Sequence, residues 1–452
     1  MLCPIHVFRH GCFLCLARSS DDGLSFTKPM DLGVVSFNGS TQNNLVLQLS
    51  EPKANANSTE GRPAGLRTAA TVFVDDNPAV PPSERYKFTA DGVADGQPMT
   101  PVLTLYGSAD GVRWKPLSAG SKQMRLWSDV GDTQPVTFWD PRESRYQTYG
   151  RYEPGPRKCS HTAAARVVGY SAAAVNDSLF GSWSNVTAAL GFPTEGPCTD
   201  TYNSAAIQVH NAYIMLPSQY LHVGEPTFPQ PDHSAMNAHG SSNDGVLDVR
   251  LAISGNTTRF TWVSDEAFIE RGVGSIDHYA QKADWHYAGE WDAGMLFAVR
   301  GYHNTPTRTA IFYWGTQVTH GDYPFIYAYP NATNGIGRAT MRRDGWFSFD
   351  ADDGSDAQTL LTAPITLPSE PSTLALNMLT TVRGYVKVEL QDATTGAAVP
   401  GFALADSVPS MGNYLARAQQ WSNATALPAG KCVRIRLEAV QAKLFTFSFG
   451  PV

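Results

Sequence analysis

Apolar residues recur along this chain in short runs that alternate with polar ones, and the three-to-four-residue spacing of an amphipathic helix is nearly absent. Clusters of Gly, Pro, Asn and Asp separate the runs, which predicts many short strands joined by tight turns. As far as about residue 345 the pattern repeats loosely every 60–75 residues or so, a period that suggests propeller blades.

A turn motif marks the repeat. Ser19-Ser20-Asp21-Asp22-Gly23-Leu24-Ser25-Phe26 reads S-x-D-x-G-x-x-F, Ser108 to Trp114 reads S-x-D-G-x-x-W, and Ser254 to Trp262 is a weaker third copy built on Asn256. In each, the Asp or Asn side chain is expected to take backbone N–H groups, Gly to supply positive φ, and the aromatic to pack between sheets. A second repeated piece places Asp132, Asp200 and Asp277 just where a run of small and apolar residues begins.

These pieces divide residues 1–343 into five blades. The first, 1–50, shows only one outer-strand run; the next three span about 66–118, 130–190 and 200–263, and the fifth about 273–343. From Asp344 the turn repeat stops, and residues 344–452 read as an antiparallel β-sandwich, with strict alternation at Val386, Val388, Leu390 and at Val433, Ile435, Leu437. The expected fold is all-β: a five-bladed propeller with a short first blade, then the sandwich.

Composition narrows the function. A net charge of −7 leaves no basic stripe for a nucleic acid backbone. No apolar run reaches the length of a membrane-spanning helix. No phosphate-binding loop, dinucleotide fingerprint or G-x-S-x-G turn occurs, so no cofactor is expected. The six cysteines form no zinc pattern; Cys12 and Cys15 make an isolated C-x-x-C without a helix to follow, and Cys159 and Cys198 are the best disulfide candidates or else buried thiols. His233 and His239 are too loosely spaced to argue for a metal. Seven N-x-S/T sequons, at Asn38, Asn57, Asn176, Asn185, Asn256, Asn331 and Asn423, point to a secreted glycoprotein carrying N-glycans. Arg9 and His10 interrupt the first apolar stretch, so the chain is expected to begin inside a domain.

Propellers place functional groups where the innermost strands begin, so Asp132, Asp200 and Asp277 are expected to converge from three blades, with Glu195 on a loop above them. Convergent carboxylates suit glycosidic cleavage, one acting as acid and another as base or nucleophile. The competing reading makes each Asp a turn cap, as it does for Asp140 and for Asp75 with Asp76. Arg151 and Arg166 are candidates to bind sugar hydroxyls or a carboxylate, or else to form structural ion pairs. Trp139, Tyr220, Trp285 and Trp291 are candidate stacking faces, and His222 a candidate contact near the mouth.

The segments SSDDGLSFTKP, GSTQNNLVL, VDDNPAVPPSERYKF, DTQPVTFWDPRESRYQTYGRY, FIERGVGSID and DGWFSFDA, with GYVKVELQDATTGAAVPGFALADS near the end, resemble uncharacterised propeller proteins related to glycoside hydrolase families 32, 43 and 68. The resemblance implies an acidic centre of two Asp and one Glu. Asp132 or Asp200 would be the second carboxylate and Glu195 the Glu, while the first-blade Asp would lie upstream of Met1. No W-M-N-D-P-N-G-like segment appears; Trp139-Asp140-Pro141 comes nearest. The expected activity is hydrolysis of an oligosaccharide or glycoside. The alternatives are a non-catalytic carbohydrate-binding or surface-interaction propeller, and a sialidase-like enzyme, which needs an arginine triad and a Tyr nucleophile.

Overall fold

The structure, a computed structural model, describes residues 2–7, 11–50, 70–93, 101–118, 124, 126–127, 134–154, 166–191, 199–222, 245–275, 288–320, 333–351, 354, 356–422, 424 and 426–451. Among these the only helical piece is one 3-10 turn, Pro82–Glu84. The chain divides into two compact units, residues 1–301 with 311–339, and residues 302–310 with 340–452.

The first unit is the propeller. Each of three successive segments folds into a four-stranded antiparallel meander. The first runs through Ala70–Val74, Tyr86–Val93, Pro101–Ser108 and Lys115–Pro116. The second holds Val136–Asp140, Arg145–Tyr152, Val167–Ala172 and Thr187–Leu190. The third holds Ala205–Val209, Ala212–Leu216, Ala252–Ser254 and Thr261–Trp262. A three-stranded sheet of Leu2–Val7, Gly11–Leu16 and Leu45–Ser50 precedes them, and Met295–Ala298 follows with residues 311–316 of the strand Arg308–Thr316. The first fifty residues thus hold three strands where the sequence reading saw one. Leu14 and Val46, both essentially inaccessible, show that the LVLQL run is a core strand.

Sheets stack face to face in chain order. Leu14 and Val46 meet Phe88 of the second sheet. Phe73, Leu103 and Leu105 meet Trp139 and Tyr146 of the third. Phe138, Tyr149 and Tyr170 meet Tyr213, Met215 and Phe260 of the fourth, and Tyr220 and Leu247 meet Met295 of the fifth. Because both faces of a middle blade are covered, Val136–Asp140 is buried at every position and reads as an unbroken apolar run rather than an alternating one. The ring closes between first and last: Phe26 packs edge-on against Phe312 with centroids 5.9 Å apart, and Arg338 Nε donates to the Asp22 carbonyl at 3.1 Å.

The starts of the inner strands touch from blade to blade. Thr71 donates its hydroxyl to the Pro135 carbonyl, Asn203 reaches Gln134 at 3.5 Å, and the Arg300 guanidinium lies 5.0 Å over Phe138. In the fourth blade the strands are long but interrupted, at residues 202–204, at Pro217 and at 250–251. Their upper halves, Thr199–Thr201, Ser218–His222 and Gly245–Val249, form a separate sheet that runs into Met295–Ala298 of the fifth blade through a parallel pairing at Leu247 and Met295.

The turn motif behaves as its chemistry demands. Asp21 accepts from the Ser25 N–H at 2.9 Å and Ser19 accepts from the Gly23 N–H at 2.8 Å. Asp110 accepts from the N–H groups of Val112 and Arg113, both at 2.8 Å, and Asn256 from those of Thr258 and Arg259 at 3.0 and 3.1 Å. A fourth turn does the same job with different spacing: Asp177 accepts from the Ser182 N–H at 3.1 Å, and the Trp183 indole donates to the Leu179 carbonyl at 3.2 Å, as Trp114 does to Gly111 at 3.1 Å. Cys12 and Cys15 share the strand Gly11–Leu16, and Cys15 is buried.

The second unit is an antiparallel β-sandwich. Ser372–Asp392 and Cys432–Pro451 pair along nearly their whole lengths, with register shifts between Asn377 and Met378 and between Thr380 and Tyr385. Val386, Val388, Leu390, Val433, Ile435 and Leu437 all point inward and are fully buried, as their alternation requires. Residues 302–310 and 340–343, placed in the propeller by the sequence reading, pack here. Tyr302 meets Trp346 edge-on at 5.5 Å, Thr309 accepts from the Asp344 N–H at 3.1 Å, and the Arg342 guanidinium bonds Asn377 at 2.5 Å.

Candidate functional site

The four expected catalytic carboxylates divide sharply. Asp132, Glu195 and Asp277 lie outside the described residues, as do Trp285, Cys159 and Cys198, and sequons Asn57, Asn331 and Asn423. Asp200 is described, and it is the anchor of a buried polar cluster.

Asp200 sits in Thr199–Thr201, where the fourth blade's first strand begins, and pairs across the ladder with Tyr220. Its side chain has no accessible surface. The Arg166 backbone N–H donates to Asp200 Oδ1 at 3.2 Å, and Arg166 Nη1 stands 3.7 Å from Oδ2. Thr201 N–H returns a bond to the Arg166 carbonyl at 3.0 Å, fixing the register between the two segments.

Arg166 is the hub. Its guanidinium lies 5.4 Å over the Tyr202 ring. Burial, then the charge of Arg151, hold it below the usual arginine range, while Tyr202, Tyr220 and Glu153 act in the opposite sense. Arg151 is the last residue but one of the strand Arg145–Tyr152 and pairs with Glu153, and the Trp127 indole donates to its carbonyl at 2.5 Å. Each guanidinium side chain is 12% exposed.

A second set of partners completes the cluster. His320 bridges two phenols, with Nε2 at 2.9 Å from the Tyr202 hydroxyl and Nδ1 at 3.3 Å from that of Tyr220. A neutral imidazole has one donor and one acceptor nitrogen, so one phenol donates to it and the other accepts. The two phenol rings meet edge-on at 5.7 Å. Asn203 orients the neighbouring turn by accepting from the Ser218 N–H at 2.7 Å. The arrangement brings two cations, two carboxylates, two phenols and an imidazole to the end of the propeller where the first strands begin. Among the described residues no group of three His, Cys, Asp or Glu is disposed to hold a metal ion.

Two of the expected stacking faces are corrected. Trp139 is 7% exposed and packs edge-on against Tyr146 at 5.0 Å in the core between the second and third blades. Tyr220 is fully buried against Leu247 and Met295. Both follow from first- and second-strand positions that neighbouring blades cover from both sides. Trp291 is half-buried and lies flat on Tyr313, 5.9 Å apart and 13° from parallel. His222 ends the strand Ser218–His222, opposite Gly245. Asp140 and Asp75 accept from Tyr213 and Tyr146 respectively, and both also cap a turn N–H, as expected. Sequence reasoning missed Glu153, Tyr202 and His320. The first two flank named residues; His320 gave no signal, since it meets its partners from 118 and 100 positions away.

A groove of about 880 Å³ lies elsewhere, between the outer strands of the third and fourth blades, lined by Leu190, Arg259, Phe260, Trp262 and Asp265 among others. It touches none of the cluster.

No family model matches the chain, and no curated protein matches it. Among solved structures it is similar to an N-acetylgalactosamine deacetylase from F. plautii in complex with blood group B trisaccharide, 12% identical over 75% of this chain and 83% of that one, with a TM-score of 0.45. It is similar to a glycosyl hydrolase from Bacteroides ovatus, 13% identical over 74% and 76%, TM-score 0.40. It is also similar to a glycoside hydrolase family 43 arabinoxylan arabinofuranohydrolase from Bacillus subtilis in complex with cellotetraose, 10% identical over 100% and 95%, TM-score 0.35. Sequence identity to each is too low for residue roles to pass from it to this chain.

Proposed function

We propose that this propeller is a glycoside hydrolase whose site is the Asp200 cluster, with Asp200 as the carboxylate that serves as base or nucleophile. The observation that carries the reading is the pairing of a fully buried Asp200 with both the backbone and the guanidinium of Arg166, at the start of an inner strand. Glycosidic cleavage needs one carboxylate held charged and a second group that delivers a proton to the leaving oxygen. Asp132, Glu195 and Asp277 are the proposed sources of that second group, and Arg151 with Arg166 the proposed substrate contacts. The protein is proposed to be secreted and N-glycosylated. Asn38, Asn176, Asn185 and Asn256 are exposed, which suits that reading.

A second reading, a non-catalytic carbohydrate-binding propeller, is favoured by one observation: the Asp200 carboxylate has no accessible surface. A hydrolysis screen over aryl glycosides and plant and animal oligosaccharides separates the two. Turnover that Asp200→Asn abolishes supports the hydrolase. Sugar binding without turnover supports the binding reading.

A further inference from the structure

We infer that the cluster around Arg166 recognises a sugar bearing a carboxylate, a uronic acid unit, in preference to a neutral sugar. The inference rests on the reading of this cluster as the sugar site and names its substrate class.

The observation is an imbalance in donors. Arg166 Nη1 is buried and makes no hydrogen bond; its ion-pair partner, Asp200 Oδ2, stands at 3.7 Å, beyond hydrogen-bonding distance. Leaving a buried charged donor unmade is costly, more so for a guanidinium than for a neutral group. Arg151 lies close enough for its positive charge to act on Arg166. Among the described residues, the two carboxylates beside these guanidiniums are already engaged, Glu153 by Arg151 and Asp200 by the Arg166 backbone N–H. An incoming carboxylate supplies the missing acceptor and relieves the repulsion between the two guanidiniums. A hydroxyl supplies only the first. Arginine's planar fork matches a carboxylate with two parallel N–H bonds, which a lysine ammonium does not.

Other donors and acceptors of the same neighbourhood suit the rest of a sugar ring. Thr201 Oγ1, Ser204 Oγ and Gln219 Oε1 are buried without hydrogen-bond partners, and Thr201 and Gln219 are ladder partners. Hydroxyl groups of a pyranose both donate and accept, so they complement such a mixed set.

The test is calorimetric titration of the whole chain, at low ionic strength, with four probes: methyl glucuronide, methyl galacturonide, methyl glucoside and methyl galactoside. The expected result is that at least one uronide binds about tenfold or more tighter than its neutral counterpart, and that added salt narrows the gap. Arg166→Gln is expected to erase the preference. Arg166→Lys, which keeps the charge, is expected to keep part of it, and it serves as the readout if the Gln variant does not fold. Neutral probes binding as well as uronides, or a folded Arg166→Gln protein with the preference intact, overturns the inference and leaves the sugar site standing. Binding of none of the four overturns both.

Discussion

Tyr213 of the fourth blade donates its hydroxyl to Asp140 of the third at 2.5 Å. One blade earlier Tyr146 donates to Asp75 at 2.9 Å. In both pairs the Asp closes a first strand and the Tyr belongs to the next blade's second strand, so the contact is a repeated bolt between neighbouring sheets. Burial pushes both phenols above the usual tyrosine range, and the carboxylate each one serves adds to the push. The phenols therefore remain donors at any working pH. Replacing Tyr213 or Tyr146 by Phe removes one donor from a buried carboxylate that keeps its turn N–H, and each change is expected to lower unfolding free energy by about 1–3 kcal/mol in denaturant titrations.

Asp75 gives this bolt a pH signature. Burial outweighs Lys87 and the hydrogen bonds to Asn77 and Tyr146, and raises its carboxyl above the ordinary 3.8. The folded state then holds the proton more tightly than the unfolded one. The contribution is fully present below 3.8 and is lost as pH rises through the folded value. Unfolding free energy measured against pH should fall, relative to Asp75→Asn, as pH rises through this window. A relative rise would reverse the assigned direction.

Asp21 is shifted the other way. Hydrogen bonds from the Ser25 side chain and backbone, then from Ser19, lower it from 3.8 to about 2. Its contribution is present above 3.8 and lost as pH falls through about 2. Carboxyl NMR titration should place its midpoint near 2, and Ser25→Ala should move it upward.

Gly23 and Gly111 occupy equivalent turns at φ +79° and +72°, yet differ in surroundings. A Cβ on Gly23 would stand 2.3 Å from the Phe312 ring, at the closure of the ring of blades, whereas one on Gly111 meets nothing nearer than 4.0 Å. Gly111→Ala should cost about 1 kcal/mol from backbone strain alone. Gly23→Ala should cost about 1–3 kcal/mol more, from overpacking. Equal costs in thermal unfolding would mean that the closure contact is slack.

Much of this architecture is legible in the sequence, for identifiable reasons. The S-x-D-G turns are read directly because all their bonds are local, within five residues. The copy around Asp177 is not, because its donors are spaced differently along A-A-V-N-D-S-L-F-G-S-W. The sandwich is legible because Val386, Val388 and Leu390 leave one face solvent-facing, so period two survives. The propeller's inner strands are buried on both faces, which hides their register and made Trp139 read as a sugar platform. The Asp–Tyr bolts join residues 71 and 73 apart, yet their one-repeat offset, Asp75 to Asp140 and Tyr146 to Tyr213, was present as a signal. In the site, Asp200 was legible as a strand-start carboxylate. Its dependence on Arg166 was not, since that contact crosses from one blade to the next.

The most direct measurement is the hydrolytic rate of the wild-type chain and of Asp200→Asn on the glycoside the screen selects, with unfolding curves confirming that both are folded. The account predicts a rate at least about a hundredfold lower for the variant, with sugar binding retained, as removing a catalytic carboxylate requires. A folded Asp200→Asn protein that turns over as fast as wild type would contradict it.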